Sequence, residues 1–113
     1  MRIYISGPMT GIANKNARAF MSAEAHCEMK GWTVENPVRL DEDLERMHRS
    51  IGKSPPTYED YLRRDIQLLA RCDAIVMLPG WSRSRGALLE AKVATEIGLR
   101  YFASLEEVPW VCK

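Results

Sequence analysis

Histidine and cysteine are scarce in this 113-residue chain, with two His, at 26 and 48, and three Cys, at 27, 72 and 112. Neither histidine has a metal-ligand neighbour at a useful spacing, so no metal site and no metal cofactor is expected. The cysteines are odd in number, widely spaced and free of any CxxC pair, which makes a poor disulfide framework. They read as reduced thiols of a cytoplasmic protein. Excess charge is missing too. Sixteen Lys plus Arg against 15 Asp plus Glu leave a formal charge of +1, which argues against a general nucleic-acid binder. There is no apolar run long enough to cross a bilayer, so no membrane partner is expected. The opening Met1 to Ser6 gives way quickly to polar residues and lacks the apolar region of a secretion signal.

What remains is the composition of an ordinary globule, 46% hydrophobic and 27% charged, and the length suits one domain over 1–113. Arg2 to Ser6 is β-branched and aromatic and reads as a strand that stops at Gly7-Pro8. A helix is expected from Lys15 to Lys30, with Gly31 as its stop. Trp32 to Glu35 reads as a second strand, ended by Asn36-Pro37. The charged stretch from Val38 to Pro56 is long for a connection and reads as a lid or insertion, with a short helix at Leu40 to His48. Thr57 and Asp60 have the spacing of a capping box for a helix running to about Cys72. Asp73 to Leu78 is nearly all apolar, as in a strand buried on both faces. A last helix from Gly86 to Ile97 and a last strand from Arg100 to Ser104 complete the order. This alternation predicts an α/β fold, an open and mainly parallel sheet of flavodoxin-like or Rossmann-like type with helices on both faces.

Two acids stand where apolar side chains belong. On a helical wheel Asp65 falls about 40° from Tyr61, inside the arc of Leu62, Leu68, Leu69 and Cys72. An ionised carboxylate facing a core is costly unless it is partnered or lines a cleft. Asp65 is therefore a candidate site residue, or else it anchors a loop or pairs with an arginine. Glu90 sits on the edge of the small-residue face of Ala87, Ala91, Ala94 and Gly98. It also falls near the start of its helix, where the dipole favours the ionised form that a nucleophile needs. Glu24 limits the method: it lies between Ala17 and Met21 in the same kind of arc, and no chemistry accompanies it.

In open parallel sheets ligands bind at the carboxyl ends of the strands. Two loops leave such ends here, Gly7 to Gly11 and Gly80 to Arg85, and both are rich in Gly, Ser or Thr. The second runs Gly80-Trp81-Ser82-Arg83-Ser84-Arg85-Gly86 into a helix N-terminus and reads as a phosphate site. Trp81 reads either as a platform for a base or as a cap on the core. Neither loop is a Walker loop and no GxGxxG occurs, so ATP hydrolysis and nicotinamide chemistry have no support.

Ile3-Tyr4-Ile5-Ser6-Gly7-Pro8, Asp65 followed by Cys72-Asp73-Ala74-Ile75-Val76, and Ser84-Arg85-Gly86-Ala87-Leu88-Leu89-Glu90 resemble the nucleoside 2-deoxyribosyltransferase superfamily. The YISGPMTG start and the DAIVMLPGWSRSRGA segment are most similar to a small branch met in phages and prophages. The resemblance implies a nucleoside or nucleoside 5′-monophosphate as substrate and no cofactor. It implies Glu90 as nucleophile at the sugar C1′, Asp65 as a sugar- or base-contacting acid that helps proton transfer, and Tyr4 as the group that orients Glu90. By the same resemblance Ser84 stands where the monophosphate N-glycosidases carry a phosphate-contacting Ser. Ser6, Gly7, Pro8 and Met9 from the first loop and Gly80, Trp81, Ser82, Ser84, Arg85 and Gly86 from the second are expected to bind substrate. Related enzymes complete their sites across subunits, which implies a homodimer or higher homo-oligomer. The PG and GALLE pieces also resemble the PGGxGTxxE loop of the lysine-decarboxylase-like phosphoribohydrolases, with Trp81 and Ala87 in place of a Gly and the Thr. The alternative function is a non-catalytic protein of phage type that binds and sequesters a nucleotide.

Overall fold

The computed structural model describes residues 1–111, so Cys112 lies outside the described residues. Four parallel strands form one sheet in the order β2-β1-β3-β4. They are β1 (Arg2–Ser6), β2 (Thr33–Glu35), β3 (Ala74–Met77) and β4 (Arg100–Phe102). The helices are α1 (Ala17–Met29), α2 (Pro37–Ser50), α3 (Tyr58–Leu69) and α4 (Arg85–Glu96). This is the expected α/β architecture, with helices on both faces of a parallel sheet. No helix among the described residues is long and apolar enough to cross a membrane.

The two central strands alternate strictly. Ile3 and Ile5 of β1, with Ala74 and Val76 of β3, pack on Phe20, Ala23 and Cys27 of α1. Tyr4, Ile75 and Met77 turn the other way, onto Leu69, Ala87, Ala91 and Ala94 of α3 and α4. Successive side chains on a strand face opposite sides, so a sheet covered twice needs apolar residues at nearly every position. The alternation also sends Tyr4 and Ser6 of β1 to the α3–α4 side. The two buried free thiols are divided likewise, Cys27 on the α1 side and Cys72 on the other.

The segment read as a lid is mostly helix. Asn36 accepts the Val38 N–H at 3.0 Å and Pro37 occupies the first turn, so α2 starts at once and runs 14 residues to Ser50. Asn as N-cap with Pro just inside is a strong start signal, and it carries the helix beyond the expected Leu40 to His48. The α3 capping box forms as expected: Thr57 Oγ1 accepts from the Asp60 N–H, and the Asp60 carboxylate accepts from the Thr57 N–H. Glu24 finds its partner across the α1–α2 seam, where Arg39 binds both of its oxygens at 2.8 and 2.9 Å.

Candidate active site

The site lies where the strand order reverses, between β1 and β3, at their carboxyl ends. Such a switch point opens a crevice because the connections leave it to opposite sides. Gly7 is required there. A Cβ on it would lie 2.8 Å from the Leu78 Cβ, so the strands could not leave the sheet side by side. Gly80 has φ +85°, a left-handed turn that suits glycine.

Ser84 caps α4 by accepting the Ala87 N–H at 3.2 Å. The face of α4 that follows is small, with Ala87, Ala91 and Ala94 all buried against the sheet. Residues three and four apart share a helix face, so Glu90 is carried inward with them. Glu90 is 6% exposed. Tyr4 donates its hydroxyl to Glu90 Oε2 at 2.7 Å, and Ser6 donates to Oε1 at 2.6 Å. Each carboxylate oxygen thus has one neutral donor from β1. Burial, and then the negative charge of Asp65, push the Glu90 pKa up to about 7, and the two hydroxyls only partly offset them. Tyr4 is itself raised well above the ordinary tyrosine value, by burial first and then by Glu90, so it stays a proton donor.

This corrects the expectation about the helix dipole. α4 begins at Arg85, its first turn contains no acid, and Glu90 belongs to the second turn. The dipole acts mainly within the first turn, whereas desolvation acts in full on a buried carboxyl.

Asp65 of α3 is 5% exposed and is pushed up to about 6, mainly by burial. Arg64 opposes that rise by donating to Asp65 Oδ1 through Nε at 3.0 Å and Nη2 at 2.5 Å. Arg64 Nη2 also reaches Asp41 Oδ1 of α2 at 2.6 Å. On the other Asp41 oxygen stands Lys15 Nζ at 3.4 Å, from the strained turn where Asn14, Lys15 and Asn16 all have positive φ.

Asp65 and Glu90 line one cavity of about 360 Å³. Gly7 and Met9 wall it from the loop after β1, Ser84 and Gly86 from the start of α4, and Tyr58, Tyr61 and Leu62 from α3. The two acids found on helical wheels therefore face a common space, with Tyr4 and Ser6 seated behind Glu90. Ser6, expected to touch substrate, positions Glu90 instead.

Several expected binding residues lie elsewhere. Pro8 packs against Gly80, whose added Cβ would sit 3.4 Å from the Pro8 ring, so these residues join the two loops. Trp81 packs edge-on to Tyr101 of β4, with ring centres 6.4 Å apart, and caps the core. Ser82, Arg83 and Arg85 line an adjoining groove with Leu88 and Lys92 that shares the Tyr58 and Leu62 wall of the cavity, and Arg85 lies 5.3 Å over the Tyr58 ring. The expected phosphate loop is thus divided, with Ser84 and Gly86 inside the cavity and both arginines outside it.

Sequence reasoning missed Asp41, Lys15, Arg64 and Tyr61. A signal existed for Asp41. Pro37, Asp41 and His48 are the buried residues of α2, and their spacing places them on one helical face. Reading the stretch as a lid hid that face. Lys15 reaches the cavity only through its irregular turn, for which the sequence carries no periodic signal. No curated protein matches the chain. A family model described as a domain of unknown function, DUF4406, matches residues 1–102, and the chain belongs to that family.

Proposed function

We propose that this chain cleaves the N-glycosidic bond of a nucleoside or nucleoside 5′-monophosphate, by hydrolysis or by transfer of the sugar to a second base. One observation carries the reading: Glu90, oriented by two hydroxyl donors, shares a cavity with a second raised carboxyl, Asp65. Its likeness to the nucleoside 2-deoxyribosyltransferase superfamily in the same residues supports the substrate class.

In the first step a Glu90 oxygen forms a bond to C1′ as the C1′–N bond breaks. The electron pair of that bond leaves with the base, and Asp65 supplies the proton that neutralises it. In the second step water, or a second base, attacks C1′, gives its proton to Asp65, and releases Glu90 as carboxylate. Two displacements at one carbon retain its configuration, as in retaining glycosidases. Two carboxyls raised to about 6 and about 7 hold one proton between them in that range; Asp65, the lower of the two, ionises first, so the reactive form with Glu90 ionised and Asp65 protonated is the minor arrangement of the singly protonated pair. Tyr4 and Ser6 are fixed donors that hold the Glu90 oxygens in place for attack.

Incubation with a panel of nucleosides and 5′-monophosphates, read as free base, tests the reading. Base release from at least one member, absent in Glu90→Ala, is expected. Binding without base from any member would instead leave a sequestering protein that uses the same cavity.

A further inference from the structure

Asp41 has no part in the reaction just described, yet it is one of the most buried charged groups in the protein, 4% exposed. It comes from α2 and lines the same cavity as Asp65 and Glu90. Its Oδ1 takes Arg64 Nη2 at 2.6 Å, and the same Nη2 serves Asp65 Oδ1 at 2.5 Å. One nitrogen thus bridges two carboxylates on two helices. The rest of the guanidinium is used unevenly. Nε supports Asp65 at 3.0 Å, while Nη1 is buried and has no acceptor among the described residues. Arg64 therefore holds Asp65 by one oxygen only, and the Tyr4 hydroxyl, which donates to Glu90, is the other side chain whose hydrogen bonding favours the ionised Asp65.

We infer that Asp41 is a positioning residue for the carboxylate pair: it divides the Arg64 guanidinium between α2 and α3 and so sets how much positive charge Asp65 receives. This rests on the reading of Asp65 and Glu90 as the working pair. The charged and titratable groups around Asp65 are few: Arg64 beside it on α3, Asp41 from α2, Tyr4 from β1 and Glu90 from α4. Arg64 favours the ionised Asp65, and Asp41 opposes ionisation by its own charge and by its claim on Arg64. Lys15 and Glu45 act one step further out, on the far side of Asp41. Lys15 steadies Asp41 from the half-exposed rim, and its Nζ stands 5.2 Å over the Tyr61 ring that walls the cavity.

The inference has a sign that a merely structural role lacks. Without the Asp41 charge, Arg64 belongs to Asp65 alone and the pair gives up its first proton at lower pH. Without the Arg64 charge, the first proton is held to higher pH. Carbon-13 NMR titration of the Asp and Glu carboxyls reads both directly and needs no substrate. Asp41→Asn is expected to move the lower midpoint down by about one pH unit, the low end of the effect of one neighbouring charge. Arg64→Gln is expected to move it up, and Asp41→Glu to restore it. Unmoved midpoints in Asp41→Asn, or a shift upward, overturn the inference. Should Arg64→Gln fail to fold, the contrast between Asp41→Asn and Asp41→Glu decides alone. If the substrate panel yields no base while these shifts appear, the glycosidic reading fails and the positioning role stands. If base is released and the midpoints do not move, the reverse holds.

Discussion

Glu24 and Glu90 look alike on paper and end in opposite surroundings. Each lies in the apolar arc of a helix packed on the sheet. At the α1–α2 seam Glu24 meets a cation, Arg39, which fills both of its oxygens from a largely exposed position. Between α4 and β1, Glu90 meets two neutral hydroxyls and a second acid. At Glu24 the arginine answers both oxygens, whereas at Asp65 Arg64 reaches one oxygen and is shared with Asp41. Glu90 is buried and held by two neutral hydroxyls near Asp65, and its proton affinity rises. The two acids differ in what faces them across the fold.

The first way to break this comparison is to remove each acid in turn. Glu90→Gln is expected to lower base release by more than about 10⁴-fold, since it deletes the proposed nucleophile rather than a proton-transfer aid worth about 10²–10⁴. Glu24→Gln is expected to leave the rate within about twofold, as a surface ion pair contributes little. Equal losses in a free-base assay would erase the distinction. Asp65→Asn comes next, with an expected loss of about 10²–10⁴-fold that is smaller for substrates whose base leaves without protonation. A loss independent of the leaving base would leave Asp65 a sugar-binding role only.

Stability gives the third test. Glu90 has a folded pKa of about 7 against 4.5 for a free side chain, so the folded state holds the proton more tightly than the unfolded state. That contribution is full below about pH 4.5 and is lost as pH rises through about 7. Glu90→Gln mimics the protonated form and is therefore expected to gain on the wild type across this window. The gain approaches about 3 kcal/mol for a shift of this size. Urea melts at several pH values measure it, and a difference that does not vary with pH would refute the raised pKa.

The smallest expected effect is the sharpest in meaning. Tyr4→Phe removes one donor from the ionised Glu90, so the rise of activity with pH should move alkaline by about one unit, in line with a hydrogen bond to a charged group. At neutral pH this appears as a loss of about tenfold in kcat with KM little changed. A change in KM alone would place Tyr4 against substrate instead.

Much of this was legible along the chain. Strand β3 announced itself through an unbroken apolar run, α3 through Thr57 and Asp60, and α4 through Gly80 to Gly86 before a row of alanines. Asp65 and Glu90 stood out because an acid at a buried helical phase violates the pattern around it. Other parts were illegible for a definite reason. Asp41 sits in a helix crowded with charge, where the face it shares with Pro37 and His48 was hidden by reading the stretch as a lid. Arg83 and Arg85 flank Ser84 in the chain, yet they line another groove, because Ser84 is an extended residue between two helical turns and side chains on extended backbone alternate sides. Trp81 had two readings, and only the position of Tyr101 on β4 chose between them.

Local rules thus decided the elements, their order and which acids were out of place, since caps, periodicity and burial pattern act over a few residues. The pairing of those acids was decided by the packing of α3 and α4 on β1, through contacts such as Tyr4 to Glu90 that span 86 positions. So was the division of one guanidinium between Asp41 and Asp65. Desolvation and Coulomb interaction depend on distance in space, and distance along the chain does not determine it.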